Sequence, residues 1–171
     1  MITEILQDFS NSGMEKYWQI QTHTTENTEE VGKKLAEIIL NNPDAPRFVA
    51  LEGDLGVGKT AFTRGFVSLL VPGSAVRSPT FALVNEYRNG NTKIPVYHFD
   101  VYRIEDEDDL YSIGFYDYLD EGKAVCIVEW SENIRYAFPR SYWTVKIEKD
   151  DITCPDSRMI TVTLEGESKK K

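Results

Sequence analysis

Residues 53–60 have the types and spacing of a phosphate-binding loop. Their sequence, G-D-L-G-V-G-K-T, matches the P-loop pattern G-x-x-x-x-G-K-[ST] at every fixed position. The glycines let the backbone curl until successive N–H groups face one concavity, which suits a phosphate. Lys59 adds a cation that can reach the β- and γ-phosphates, and the Thr60 hydroxyl can ligate Mg²⁺. The residues predicted to bind a nucleoside triphosphate are Asp54, Leu55, Gly56, Val57, Gly58, Lys59 and Thr60.

The segments on either side of this loop have the patterns that a P-loop requires. Residues 47–52, which are apolar at 48–51, are typical of a short buried strand that leads into the loop. We expect a helix to begin at about Lys59, so that the positive end of its dipole faces the phosphates. Apolar residues then recur at i, i+4, i+7 and i+8, the spacing of one helix face, at Phe62, Phe66, Leu69 and Leu70.

Two carboxylates end apolar runs and are candidates for the acid that a P-loop protein uses at its metal. Glu129 follows the apolar residues 124–128, and Asp100 follows residues 96–99. A strand would place His98 and Asp100 on one face, because side chains alternate with a period of two. These two side chains could orient a water molecule or form an ordinary structural pair. The residues alone decide neither which acid serves the metal nor what His98 does.

Other polar residues near these motifs have a functional and an ordinary interpretation. Ser78 and Thr80 flank a proline, so they could be simple turn residues or a switch loop whose Thr80 senses the γ-phosphate. Arg77 and Arg103 could supply positive charge to a transition state, although most surface arginines do not. Trp130 directly follows Glu129 and could belong to the core or pack beneath the nucleotide.

Helical and extended patterns alternate along the first half of the chain. Residues 17–22 can form a strand, and Asn27 stands three residues before Glu30, as in a capping box. The helix that follows should end at 41–43, where two asparagines precede a proline.

A β-hairpin is predicted in mid-chain. Apolar residues alternate over 81–87, with Asn85 as the exception. An Asn-Gly turn signal follows at 89–90, and residues 94–102 return as a strand. Further strands are expected near 142–148 and 159–164. The pattern predicts an α/β fold, namely a three-layer P-loop NTPase domain with a mixed, mostly parallel sheet and a mid-chain β-hairpin.

Composition favours one globular domain. The chain has 171 residues, of which 41% are hydrophobic and 12% aromatic. We expect a single ATPase domain at 17–166, a flexible N-terminal extension at 1–16 and a basic tail at 167–171. The net charge of −9 argues against a basic face for nonspecific nucleic-acid binding.

The cysteines and the N-terminal sequence indicate the cellular compartment in which the protein is expected. Cys126 and Cys154 form no C-x-x-C motif and are expected to be reduced thiols. The chain shows no signal-peptide pattern and no apolar run near the ~20 residues that span a bilayer. We therefore expect a cytoplasmic protein without a membrane partner.

Acidic residues cluster at 105–109 and recur at Asp117, Asp120 and Glu121. Carboxylates suit the positive end of a helix, so the cluster could be the solvated start of a short helix. It could also be a docking face for a basic partner. The pattern favours the first interpretation.

Five short motifs occur in order along the chain: G-D-L-G-V-G-K-T at 53–60, S-P-T-F at 78–81, L-V-N-E-Y at 83–87, H-F-D-V-Y-R at 98–103 and V-E-W at 128–130. Together they closely resemble the TsaE (YjeE) family of bacterial P-loop ATPases. The resemblance covers about residues 17–150, and several motifs in one order are far more specific than a P-loop alone.

The resemblance implies a role, cofactors and partners. TsaE proteins hydrolyse ATP with Mg²⁺ during synthesis of threonylcarbamoyladenosine on tRNAs that read codons starting with A. They act with TsaD and TsaB, meet tRNA only through that complex, and do not transfer the threonylcarbamoyl group themselves. By the family pattern, Thr60 and Glu129 would hold Mg²⁺, and Thr25 would lie by the adenine. Catalysis would depend on Asp100, Lys59 and Glu129.

Other classes of P-loop protein fit the residues less well. A small-molecule kinase needs an acceptor pocket and usually an arginine-bearing lid, whereas arginines here are scattered. A GTPase-type switch needs N-K-x-D and D-x-x-G motifs, and the sequence has neither. A structural subunit with a relict nucleotide site is disfavoured because Lys59, Thr60, Asp100 and Glu129 are all present.

Overall fold

The computed structural model describes residues 17–120 and 122–166. The predicted extension at 1–16, the basic tail at 167–171 and the acidic residue Glu121 lie outside them. The strands are β1 (Tyr17–Thr22), β2 (Phe48–Glu52), β3 (Val84–Tyr87), β4 (Val96–Asp100), β5 (Val125–Glu129), β6 (Ser141–Asp151) and β7 (Cys154–Gly166). The helices are α1 (Thr25–Asn41), α2 (Lys59–Leu70), α3 (Glu107–Ser112), α4 (Phe115–Asp120) and a 3-10 segment (Ser131–Ala137) that is kinked at Ile134.

The strands form one sheet in the order β1-β7-β6-β2-β5-β4-β3. Strands β6, β2, β5 and β4 are mutually parallel, β3 pairs with β4 antiparallel, and β7 is antiparallel to both β6 and β1. Five strands therefore run in one direction and two in the other. This confirms the mixed, mostly parallel sheet and the mid-chain hairpin, β3–β4. The carboxyl ends of β2, β5 and β4 meet at one edge, where parallel α/β sheets bind their ligands.

Helices cover both faces of the sheet, which confirms the three layers. The longer helices α1 and α2 pack on one face over the core cluster around Phe62, Phe66 and Val49. The short helices α3 and α4 and the 3-10 segment cover the other face around Phe48, Phe99 and Phe115. Of the helices within the described ranges, none is long and apolar enough to cross a membrane.

Two glycines let α1 and α2 touch along their backbones. A Cβ atom on Gly65 would lie 1.8 Å from the carbonyl oxygen of Glu29, and one on Gly32 would lie 2.1 Å from that of Phe62. An ion pair between Arg64 and Glu29, 2.7 Å apart, joins the same two helices. The helix that follows the P-loop is thus held tightly against α1.

The predicted start of α1 is wrong by three residues. Thr24, not Asn27, is the N-cap: its backbone is extended, and its Oγ1 accepts a hydrogen bond from Asn27 N at 3.1 Å. Threonine suits this position because its short side chain reaches the free N–H groups of the first turn. The Asn27 side chain instead accepts from His23 N at 3.4 Å. The helix ends at Asn41, as predicted.

The strand predicted over 81–87 is shorter than expected. Only Val84–Tyr87 pairs with β4, and the preceding residues form a tight turn in which Leu83 N donates to Pro79 O at 2.8 Å. Leu83 has a left-handed backbone, with φ 67, and Phe81 is 89% exposed. The apolar alternation therefore came from residues that do not line a strand. Its partner strand is also shorter than the predicted 94–102.

The acidic cluster begins a short helix, as predicted. Asp106 caps α3 by accepting from Asp109 N at 3.0 Å, and acidic residues fill the first turn. Most of these side chains face solvent. The alternative interpretation, a docking face for a partner, is not decided by this geometry.

Candidate nucleotide-binding site

The P-loop connects the end of β2 to the start of α2, so the strand, loop and helix predicted around it are confirmed. Three of its glycines have left-handed backbones, with φ of 147 at Gly53, 76 at Gly56 and 115 at Gly58. A Cβ atom on Gly53 would also lie 2.5 Å from Ile147 O, on the neighbouring strand β6. The loop can take this curled path only because these positions carry no side chain.

The Lys59 side chain folds back over the P-loop and bonds to the start of that loop. Its side chain is buried, and its Nζ donates to Gly53 O at 2.6 Å and to Asp54 O at 2.9 Å. The same Nζ lies 5.4 Å from the centre of the Trp130 ring. The cation is therefore fixed over the loop by two carbonyl oxygens and one aromatic face.

The other predicted loop residues have different surroundings. Thr60 is half-buried in the first turn of α2, Val57 is buried, and Leu55 is 89% exposed at the tip of the loop. Thr25, predicted to lie by the adenine, is exposed at the first position of α1. A neighbour in α1, Thr28, lies under the loop, where its Cγ2 is 3.8 Å from a Cβ atom built on Gly58.

Asp100 and Glu129 end adjacent parallel strands. They are direct partners in the register of β4 and β5, and Leu51 of β2 lies opposite Glu129 on the other side. Both carboxylates are buried, 5% exposed for Asp100 and 4% for Glu129. The sequence therefore located both acids correctly at the sheet edge that also carries the P-loop.

The two acids are held by different groups. Glu129 Oε1 lies 2.8 Å from His98 Nε2, and Asp100 Oδ1 accepts from Tyr102 N at 3.0 Å. Of the two alternatives for His98 and Asp100, the ordinary hydrogen-bonded pair does not form, because the His98 ring bonds to Glu129 instead. The two side chains do share one face of β4, but the His98 ring reaches across to Glu129 on β5, two positions along the register from its own partner Ile127.

Trp130 turns the chain sharply as it leaves β5. Its backbone is left-handed, with φ 59, which is uncommon for a large residue and concentrates at functional sites. Its half-buried ring packs against Tyr102, with the ring centres 5.0 Å apart and the planes tilted by 57°, and it lies beside the Lys59 ammonium. This turn ends β5 directly after Glu129 and keeps an aromatic face next to the P-loop lysine.

The loop at 78–83 is tied to the strand that carries Asp100. The Ser78 and Thr80 hydroxyls lie 2.8 Å apart, and Thr80 O accepts from Arg103 Nη2 at 2.8 Å. Asp100 N donates to Leu83 O at 3.0 Å. Arg103 thus contacts the candidate switch loop, and its guanidinium also lies 5.7 Å from the Phe81 ring.

An arginine that sequence reasoning missed supports the P-loop from the far hairpin. Arg158, on β7, donates from Nε to Val57 O at 2.6 Å, and its Nη1 donates to Pro155 O and Ser157 O at 2.5 and 2.8 Å. No local signal marks this residue, because the contact spans 101 positions of the sequence.

A groove of ≈ 450 Å³ runs between the P-loop and β6, lined by Gly53, Asp54, Leu55, Val57 and residues 146–149. Two charged groups near it have shifted pKa values. Burial raises the pKa of the Glu52 carboxyl, and the Arg135 guanidinium at 3.2 Å partly opposes this. The Glu148 carboxylate, 2.9 Å from Lys146 Nζ, raises the pKa of that ammonium.

The side chains at this edge fit a nucleotide with Mg²⁺. The curled loop leaves no room for a Cβ atom at Gly53, which would clash with Ile147 O. Lys59 is held in place by its hydrogen bond to Gly53 O. A P-loop magnesium site takes few ligands from the protein, because phosphate oxygens and water supply the rest. A threonine hydroxyl at the start of α2 and carboxylates at the ends of β5 and β4 are oxygen donors of the type that Mg²⁺ prefers.

Comparisons with known proteins agree along most of the chain. The family model "Threonylcarbamoyl adenosine biosynthesis protein TsaE" matches residues 22–160. The tRNA threonylcarbamoyladenosine biosynthesis protein TsaE of Bacillus subtilis is 39% identical over 142 residues, which are 83% of this chain and 84% of the relative. The protein of that name from Haemophilus influenzae is 40% identical over 121 residues, 70% of this chain and 75% of the relative. The crystal structure of Bacillus subtilis YdiB has a TM-score of 0.65 at 32% identity, over 91% of this chain and 90% of that one.

Proposed function

The chain belongs to the TsaE family of threonylcarbamoyl adenosine biosynthesis proteins, and on that premise we propose that it is the Mg²⁺-dependent ATPase of the machinery that makes threonylcarbamoyladenosine on tRNA. One observation carries the ATPase proposal. The buried carboxylates Asp100 and Glu129 end the adjacent strands β4 and β5, and β5 lies next to β2, which leads into a P-loop whose Lys59 is held in place. We assign its work to the cytoplasm, together with the proteins TsaD and TsaB.

Binding depends on the loop and the start of α2. Backbone N–H groups of the curled loop and the N-terminal end of α2 give a positive concavity for the β- and γ-phosphates. Lys59 Nζ lies within that loop and adds a full positive charge. Thr60 and Glu129 would hold the Mg²⁺ that accompanies ATP and neutralises charge on its phosphates.

Hydrolysis requires a water molecule to be oriented at the γ-phosphate. Asp100 suits this role because its carboxylate is buried at the strand end and its Oδ1 is fixed by Tyr102 N. In the described part of the chain the other carboxylate oxygen of Asp100 has no protein hydrogen bond, so it can accept one from the water. Burial at this edge also limits competition from bulk solvent.

The nucleotide state is suited to being sensed by a partner. The loop with Ser78 and Thr80 connects through the Leu83 carbonyl to Asp100 N, so movement of the loop is coupled to the hydrolytic acid. Two apolar side chains, Leu55 in the P-loop and Phe81 in the loop at 78–83, are each 89% exposed and so are open to contact with another protein. We propose that this partner is the TsaB–TsaD complex, which would also bind the tRNA.

Reconstitution of the modification tests this function. Purified TsaB, TsaD and the enzyme that makes threonylcarbamoyl-adenylate would be combined with tRNA and ATP, with and without this protein. We expect modified tRNA to accumulate over many turnovers only when the protein is present, together with released inorganic phosphate. Transfer of the γ-phosphate to a small acceptor, with no free phosphate, would instead identify a kinase. Equal modification without the protein would contradict the proposal.

A further inference from the structure

We propose that His98 is a positioning residue for Glu129: its Nε2–H donates to Oε1 of the carboxylate and leaves Oε2 for the Mg²⁺ of bound ATP. The inference rests on the function proposed above, because it assigns a task to Glu129. It starts from the 2.8 Å contact between His98 Nε2 and Glu129 Oε1. His98 itself would touch neither nucleotide nor metal.

Burial makes this contact strong and directional. His98 is 0% exposed in the middle of β4, and Glu129 is 4% exposed at the end of β5. A hydrogen bond to an ionised carboxylate is about twice as strong as one between neutral groups, and low local polarity strengthens it further. The contact therefore fixes the rotation of a side chain that has three rotatable bonds.

The other ring nitrogen argues against a role in packing alone. An ionised carboxylate only accepts hydrogen bonds, so Nε2 must carry the proton that joins His98 to Glu129. The other ring nitrogen, His98 Nδ1, is buried and has no hydrogen-bond partner in the described part of the protein. Buried polar atoms are usually satisfied, and leaving one unpaired is costly. A phenylalanine would fill this space without that cost, so the hydrogen bond from the His98 side chain to Glu129 accounts for its presence.

Glu129 has little other support for its orientation. The chain turns away at Trp130, whose backbone is left-handed, and the Glu129 backbone oxygen accepts from Val101 N at 3.1 Å. Asp100, by contrast, accepts from a backbone N–H, that of Tyr102, and among the described residues it shares no hydrogen bond with His98. Loss of the imidazole should therefore impair what Glu129 does and leave Asp100 in place.

Three variants of His98 separate positioning from packing. His98→Phe keeps a buried ring but removes the donor. His98→Gln places an amide nitrogen close to the former Nε2, whereas His98→Asn places one close to the former Nδ1. We expect the Mg²⁺ concentration for half-maximal nucleotide binding to rise about 10–100-fold in the Phe and Asn variants, the usual effect of losing a hydrogen bond behind a metal ligand. The Gln variant should stay near the wild-type value.

The control for this series is nucleotide binding in EDTA. A positioning role leaves metal-free ATP affinity unchanged in all three variants, because Lys59 and the loop are intact. A purely structural role would lower the metal-free affinity and the melting temperature together, and Gln would rescue neither. That second pattern would overturn the inference.

A readout on the metal-free protein does not depend on activity. The chain has two histidines, His23 and His98, so long-range ¹⁵N spectra are simple and His23→Gln assigns them. We expect His98 to carry its proton on Nε2, because that nitrogen faces the Glu129 carboxylate. The spectra measure the tautomer directly, whereas the hydrogen-bond geometry only implies it. A proton on Nδ1 alone would overturn the inference, even if the Phe variant failed to fold.

Glu129→Gln distinguishes failure of this inference from failure of the proposed function. If wild type binds nucleotide without any Mg²⁺ dependence, the ATPase proposal is wrong and the inference falls with it. If Glu129→Gln raises the Mg²⁺ requirement and His98→Phe does not, only the inference is wrong. Parallel increases in both variants, with rescue by His98→Gln, are the result expected.

Discussion

Arg158 donates a hydrogen bond of 2.6 Å to the carbonyl oxygen of Val57, so the P-loop is anchored to the β6–β7 hairpin. We expect Arg158→Gln to raise the dissociation constant for ATP roughly tenfold, because hydrogen bonds from charged donors contribute about 1.5–3 kcal/mol. Turnover at saturating ATP should change little. Calorimetry and phosphate release would measure the two effects, and the exposed Arg140→Gln is the matched control. An unchanged dissociation constant would show that the loop holds its shape without this anchor.

Lys59→Ala should abolish useful turnover, because the phosphates lose the cation held inside the loop. Removing one such stabilising group typically costs about 10²–10³ in rate. Phosphate release measured at several ATP concentrations would show the loss. Lys33→Ala, an exposed lysine on α1, removes the same charge outside the site and should behave as wild type. Near-normal hydrolysis by the Lys59 variant would count against the P-loop assignment.

Asp100→Asn should keep ATP binding and lose most hydrolysis, by about 10²–10⁴-fold if the carboxylate orients the water. The amide keeps the shape of the side chain and its acceptor for Tyr102 N, so the fold should be intact. Binding by calorimetry and turnover by phosphate release are compared on the same preparation. Parallel losses would make Asp100 a structural residue, and an altered Mg²⁺ requirement would mean that the roles of Asp100 and Glu129 are exchanged.

Charge reversal at Asp108 tests the docking interpretation of the acidic cluster. We expect TsaB–TsaD to raise ATP turnover and Asp108→Lys to weaken that stimulation without affecting ATP binding. The effect should shrink with added salt, because exposed charges are screened.

Asp109 is less suitable for this test, since its Oδ2 accepts from Glu105 N at 3.0 Å and its backbone is capped by Asp106. Asp44→Lys, exposed in the loop that leads to the amino end of β2, is the control that changes the net charge equally outside the acidic cluster. Full stimulation in the Asp108 variant would leave the cluster as a solvated helix start.

Gly65→Ala should lower the free energy of unfolding by about 1–3 kcal/mol, the usual cost of overpacking. The reason is that the new methyl group meets the backbone of Glu29. A main-chain carbonyl cannot move aside as a side chain can. Gly90→Ala is the control, since no heavy atom lies within 4 Å of its added Cβ. Urea denaturation of both variants gives the free energies of unfolding. Equal stabilities would show that α1 and α2 separate more easily than this contact indicates.

The sequence predicts elements best where a pattern is local. The apolar run before the P-loop and the helix face after it are contiguous, so β2 and α2 lie where expected. Both candidate acids were located because each directly follows a buried strand. The turn at 79–83 was missed because Phe81 is apolar yet exposed, and a left-handed Leu83 has no sequence signature.

Contacts between distant residues account for most of what the sequence did not predict. The period of two correctly placed His98 and Asp100 on one face, but only the register of β4 against β5 brings the imidazole to Glu129. Arg158 reaches Val57 only after β7 has paired with β6 at the far side of the sheet. Local patterns carry no information on either pairing.

The position of the Lys59 ammonium over the Trp130 ring gives the protein an internal fluorescent reporter. The chain has three tryptophans, and the other two, Trp18 and Trp143, stack on each other with ring centres 5.9 Å apart on strands β1 and β6. Lys59 Nζ lies 5.4 Å from the centre of the Trp130 ring, so a change in the charge balance around that lysine alters the electric field at this indole. The emission of Trp130 would then report the arrival of a phosphate in real time without a label.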